Sequence, residues 1–192
     1  LKSGWTQSYP SDGYYSVGFT SRMNDTGNDF GNWAPAKKSG MKFEDLDADG
    51  FKDSGEPGLE GWTSYIDEND NGVLDSGELY DVTDADGRYE ITGIHPSATA
   101  VKVKEVLKSG WTQSYPADGY YSVVFTSRMN DTGNDFGNWA PAKKSGMKFE
   151  DLDADGVKDS GEHGLEGWTI YIDENDNGVL DSGEPYDVTD AD

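Results

Sequence analysis

The chain has no cysteine, so no disulfide framework can supplement its core and no thiolate can hold a metal. It has no long apolar run; nothing approaches the roughly 20 residues a membrane helix needs, and membrane insertion is not expected. Positive charge is scarce. Lys and Arg number 15 against 38 Asp and Glu, a net charge of −23, and such a surface repels nucleic acid and anionic lipid alike. No Ser/His/Asp set and no phosphate-binding loop occurs, and the two histidines, His95 and His163, do not recur in like contexts. No enzyme is expected. Helix formers in a periodic stripe are also missing, and 25 glycines argue against long helices. The hydrophobic share of 33% would suit a disordered chain, but aromatics reach 12%, with six Trp and eleven Tyr. Those rings carry large burial area. A β-rich, acid-surfaced protein whose carboxylates need cations is the reading left.

What is present is a repeat. Leu1-Lys-Ser-Gly-Trp5 returns at Leu107-Lys-Ser-Gly-Trp111, and residues 1–86 align with 107–192 without a gap. Six positions differ: Ser11/Ala117, Gly18/Val124, Phe51/Val157, Pro57/His163, Ser64/Ile170 and Leu79/Pro185. Repeats are sought before folds because they set the frame. The Pro/Gly/Lys segment Ala34–Gly40, repeated at Ala140–Gly146, reads as a linker. One complete unit then spans 38–143. Residues 1–37 are the C-terminal part of a preceding repeat, and 144–192 the N-terminal part of a following one. The segment Gly87–Val106 occurs once. The chain starts at Leu1 without Met or signal peptide, as a fragment or processed product does. Two readings of the ragged ends stand side by side: an arbitrary cut, or incomplete units that complete each other by strand addition, giving an open head-to-tail filament.

Short alternating runs between Gly/Asp/Asn turns read as strands. They are Tyr14–Thr20 with Tyr15, Val17 and Phe19 on one face, Trp62/Ser64/Ile66, Tyr80/Val82, Tyr89/Ile91, Val101/Val103 and Met41/Phe43. About seven strands per 106 residues fit an all-β, immunoglobulin-like or prealbumin-like sandwich in tandem. Ser64→Ile170 lies on the assigned inner face, so the second copy is expected to pack better there. Asn24 and Asn130 match the N-x-T glycan acceptor pattern.

Acidic loops carry the strongest chemical signal. Asp45, Asp47, Asp49, Asp53 and Glu56 occupy positions 1, 3, 5, 9 and 12 of a twelve-residue loop with Gly50 at 6. Ca²⁺ takes 6–8 oxygen ligands, and this spacing turns alternate donors to one centre. Position 7 gives only its backbone carbonyl, so Phe51 can become Val157 without loss. A second loop has Asp67, Asn69, Asn71, Val73, Asp75 and Glu78. Both recur, as Asp151, Asp153, Asp155, Val157, Asp159 and Glu162, and as Asp173, Asn175, Asn177, Val179, Asp181 and Glu184. Without a cation such donors repel. Asp84 and Asp86, near Asp81, either add ligands or make a turn. Pro57-Gly58 and Gly61 forbid the flanking helix of an EF-hand, so the loops join strands and the calcium is structural.

The order Gly40-Met-Lys-Phe-Glu-Asp45-Leu-Asp47-Ala-Asp49-Gly50, Gly55-Glu56, Gly58-Leu59, Asp84-Ala-Asp86-Gly87-x-Tyr89, Gly110-Trp111-Thr112-Gln113 and Asp135-Phe136-Gly137-Asn138 resembles the B repeats of serine-aspartate-repeat surface proteins. These are related to the collagen-adhesin B-type (Cna-B) fold. The resemblance implies a calcium-loaded β-sandwich strung in tandem in an extracellular stalk, adhesin or filament at a microbial cell surface. Neighbouring repeats or identical subunits are the implied partners. An extracellular module showing Trp5, Tyr9, Tyr14 and Tyr15 to polysaccharide or a host protein is the alternative. Cna-B relatives also carry a Lys–Asn isopeptide bond promoted by an acid. Glu105 sits where such an acid would, on the Val101/Val103 face, and Asn138 could be one partner. Lys42, however, alternates out of phase with Met41 and Phe43, which favours Glu105 as a plain strand-end carboxylate.

Overall fold

A computed structural model describes residues 2–191. It has thirteen strands and no helix among them, in two compact units that divide between Pro141 and Ala142. In the first unit β1 (Thr6–Tyr9) and β2 (Gly31–Trp33) form an antiparallel pair. β3 (Ala36–Glu44) is the longest strand. β4 (Thr63–Asp67), β5 (Tyr80–Val82), β6 (Arg88–Ile94) and β7 (Val101–Glu105) follow. β8 (Thr112–Tyr115), β9 (Tyr121–Val123), β10 (Asn130–Asp131) and β11 (Phe136–Trp139) complete the unit.

Two sheets result. One has the order β10-β3-β11-β8, with β6 also paired to β3; the other runs β5-β4-β7-β9. β10 and β11 both run parallel to β3, one along each half. The inward sides of both sheets meet in a core of Ala36, Ile66, Tyr89, Ile91, Ile94, Val103, Phe125 and Phe136. Alternation explains β6, where Tyr89 and Ile91 point in, and β7, where Val103 and Glu105 do. The all-β sandwich expected from the repeat is the fold observed.

Several local expectations are corrected. Ala34–Gly40 is not a linker: from Ala36 it is strand β3, and Ala36 and Lys38 are fully buried. Composition misleads here because β6, β10 and β11 supply partners from far along the chain. Tyr14–Thr20 forms no strand; its counterpart forms β9 only because β7 lies beside it. Phe19 is 81% exposed whereas Phe125, the same residue 106 positions on, is 1% exposed.

The second unit repeats the contrast. Its described residues form only β12 (Thr169–Tyr171) and β13 (Tyr186–Val188), antiparallel. Ile172 is 49% exposed against 1% for Ile66, and Ile170 is exposed too. Ile170 therefore gains no packing, contrary to the expectation from its face. Four of the eight core residues come from 87–106, the segment present once.

One close approach fixes β11 against β3. A Cβ on Gly137 would lie 2.5 Å from Cζ of Phe43, whose ring is fully buried. Gly137→Ala should therefore cost about 1–3 kcal/mol in urea unfolding, the usual penalty for overpacking. Gly31→Ala, where the nearest atom is the Ser8 hydroxyl oxygen at 3.0 Å, should cost less.

Candidate functional site

All four acidic loops close by the same double clasp. In the first loop, Asp45 accepts from the backbone N–H groups of Asp49 (3.1 Å) and Gly50 (2.8 Å). Glu56 reaches back with one oxygen to the Leu46 N–H (2.7 Å) and with the other to that of Asp53 (2.9 Å). Asp67 and Glu78 repeat this in the second loop. Asp151 and Glu162 do so in the third, and Asp173 and Glu184 in the fourth. Ala48 (φ 59°) and Gly50 (φ 81°) take left-handed conformations that turn the loop sharply. The side chains of Phe51, Val73, Val157 and Val179 at position 7 are exposed, as a carbonyl-only role allows.

The donor sets differ between loops. Ligand atoms of Asp45, Asp47 and Glu56 lie within 4.8 Å of one another, as do those of Asp47, Asp49 and Asp53. Asp151, Asp153 and Glu162, and Asp153, Asp155 and Asp159, match them in the third loop. The Asp47 carboxyl is pushed up from its ordinary value by desolvation and then by the charges of Asp49, Asp45 and Asp53. These all-oxygen clusters fit a hard cation and could hold one. In the second loop the Asn69 and Asn71 amides donate to Asp75 Oδ2 at 2.8 and 2.7 Å, and Lys104 Nζ lies 3.1 Å from Asp67. Asn175 and Asn177 hold Asp181 in the same way. In both loops the amides satisfy an aspartate by hydrogen bonding, Lys104 adds a positive charge beside the second only, and an ion there requires the amides to turn their oxygens inward. Asp84 Oδ1 accepts from the N–H groups of Asp86 and Arg88, and Asp81 from that of Glu90. They shape a turn at the start of β6, and Asp86 pairs loosely with Arg88 at 3.4 Å.

A second constellation lies in the core. Lys42 is fully buried, although its phase in β3 argued otherwise: the strand buries Lys42 and Phe43 in succession while Met41 is only half-buried. Lys42 Nζ donates to Asn138 Oδ1 and lies 2.5 Å from Glu105 Oε2. Glu105 is buried on β7, not a plain strand-end carboxylate, and Asn138 is fully buried on β11. Trp62 closes the site, its ring centroid 4.5 Å from Lys42 Nζ, and Trp111 packs edge-on to it at 5.4 Å. Among the described residues, neither Glu105 oxygen nor Asn138 Nδ2 has a hydrogen bond of normal geometry. Burial pushes the Lys42 ammonium down to about 8 against the partial opposition of Glu105, and pushes the Glu105 carboxyl up. Both shifts favour a neutral amine beside a protonated acid. The signal in sequence was Glu105 and Asn138; the register that adds Lys42 is non-local.

A two-sheet repeat that returns after 106 residues and carries paired acidic loops between its strands defines a class of tandem β-sandwich repeats. No family model matches the chain. It is 30% identical over 164 residues, 77% of its length, to serine-aspartate repeat-containing protein D of Staphylococcus aureus strain Newman, and equally so to that of strain MW2. The chain spans 12% of the length of those relatives. This homology and the all-β fold make its repeats B-type repeats of the serine-aspartate-repeat kind. No helix among the described residues is long and apolar enough to cross a membrane.

Proposed function

We propose that the chain is a structural segment of an extracellular microbial surface stalk, adhesin or filament, closed by calcium and by one internal amide. The observation that carries the reading is the buried Lys42–Glu105–Asn138 contact, which joins the first and last long strands of the complete unit. The clasped loops do the same between β3 and β4 and between β4 and β5. Calcium would be held by the carboxylates of Asp45, Asp47, Asp49, Asp53 and Glu56 and their counterparts, supplying charge neutralisation and no catalysis.

The amide forms by a balanced condensation. The neutral Lys42 amine attacks Cγ of Asn138; the Nζ–Cγ bond forms and the Cγ–Nδ2 bond breaks. The Glu105 carboxyl relays the amine proton to Nδ2, which leaves as ammonia. No oxidant is needed. Intact-mass measurement should find the chain lighter by one ammonia, and Glu105→Gln should keep the full mass. A wild-type chain of full mass would end the proposal of a cross-link.

Neighbouring repeats or identical subunits are the partners this reading implies. Exposure of Trp168, Ile170 and Ile172 in the second unit, and of Phe19 and Phe30 in the first, supports head-to-tail strand complementation. A unit made by joining residues 144–192 of one copy to residues 1–37 of another would lack its own Tyr89, Ile91, Ile94 and Val103, since each copy's single set already fills its own core, so repeats that bring a further set cover such faces better. The alternative, display of aromatics to polysaccharide or a host protein, is supported by the exposed Tyr14, Phe19 and Phe30 around a groove of about 440 Å³. The burial of Phe125 and Phe136 at the matching positions favours packing.

A further inference from the structure

The proposed calcium loops and the proposed amide are connected by backbone hydrogen bonds, and the inference rests on both readings. We infer that closure of the first acidic loop aligns Lys42 with Asn138, so that calcium in Asp45–Glu56 gates formation of the amide.

Four contacts make the connection. The two stems of the loop zip around the lysine: Leu59 N–H donates to Lys42 O (2.9 Å), and Glu44 N–H donates to Pro57 O (2.9 Å). The first acid of the loop holds the acceptor strand, because Asp45 N–H donates to Asn138 O at 2.8 Å. The sharp turn at Gly50 lies against β8, with a built Cβ 3.4 Å from Ser114 O, and β8 pairs with β11. The exit of the loop leads to Trp62, whose ring covers Lys42 Nζ. One loop therefore touches the donor strand, the acceptor strand, the strand behind it and the lid.

The charge of that loop decides whether those contacts form. Asp45, Asp47, Asp49, Asp53 and Glu56 fall within twelve residues, with Glu44 just outside. Unneutralised, they drive the stems apart. Misplacing reacting atoms by about 1 Å costs on the order of 10²-fold in rate. The second loop has no such link. Asp67 reaches Lys104 on β7, and no hydrogen bond of its clasp runs to Lys42 or Asn138.

The full chain should be made by cell-free translation in calcium or in EGTA, which spares the magnesium that translation requires, and its intact mass followed with time. Ammonia loss is expected to be about 10²-fold slower in EGTA and to start when calcium is added back. Glu56→Gln should slow it in calcium, and Glu78→Gln in the second loop should slow it far less. Equal rates in calcium and EGTA would overturn the gating and leave the amide standing. No ammonia loss in either arm would overturn the amide, and the gating with it. Equal slowing by Glu56→Gln and Glu78→Gln would overturn the assignment to the first loop. If Glu56→Gln does not fold, the calcium add-back to the wild-type chain still decides the first two outcomes, and Asp49→Asn at an exposed position of the first loop takes its place against Glu78→Gln for the third.

Discussion

In millimolar calcium the complete unit should unfold on the order of 20 °C above its midpoint in chelator, because two loops contribute at once. At free calcium about 100 times the dissociation constant, each site adds about 2.7 kcal/mol. Two sites give about 5 kcal/mol, and each kcal/mol moves the midpoint of a domain of this size by about 4 °C. Calorimetry in calcium, magnesium and chelator checks it. Magnesium should substitute poorly, since it gives up its water reluctantly and demands octahedral geometry. Three coincident transitions would reduce the loops to acidic turns held by their own backbone hydrogen bonds, and the calcium mechanism would fall.

Asn138→Ala should lower the stability of the unit in calcium by about 4–5 kcal/mol. The two linked residues are 96 apart in sequence, and closing a loop of about 100 residues removes roughly 4.7 kcal/mol of chain entropy from the unfolded state. Urea unfolding of the two proteins gives the difference directly. Equal stabilities would mean that no covalent link exists in the wild type. The variant also carries a pH signature. Its Lys42 stays an amine, with a folded pKa lowered from 10.5 to about 8. Between those values the unfolded chain binds more protons than the folded one, so stability rises with pH there. A cross-linked wild type would have consumed that amine, and the gap between the two should then narrow as pH rises through this window. Glu105 acts in the opposite sense: its raised pKa contributes stability below the ordinary carboxylate range that is lost as pH rises through the folded value.

What could be read from the sequence was local. The β character and the twelve-residue loops depend on residues close together in the chain, and both are present in the fold. The clasp of Asp45 and Glu56 on neighbouring N–H groups is of this kind. The first half of strand Ala36–Glu44 was hidden because the composition of Ala34–Gly40 is that of a linker, although Met41 and Phe43 were legible as strand, and β6, β10 and β11 make the whole of it a strand. Lys42 was misplaced for a related reason. Alternation assumes one buried face, and β3 at this end is covered on both sides, by Phe43 against Gly137 and by Lys42 under Trp62. Identical segments meeting different fates make the same point. Ile66 and Ile172 share their neighbours in sequence, yet only the first has β6 and β7 to cover it.

The parallel pairing of β3 with β11 bears on tension. The chain enters β3 at Ala36 and leaves β11 at Trp139, so a pull on the two ends slides adjacent parallel strands past each other. Their hydrogen bonds then resist together, in shear, instead of opening one at a time. Once Lys42 and Asn138 are joined, the force passes straight from β3 to β11. The residues between them, both clasped loops included, lie outside the force path and keep their shape while the thread is taut.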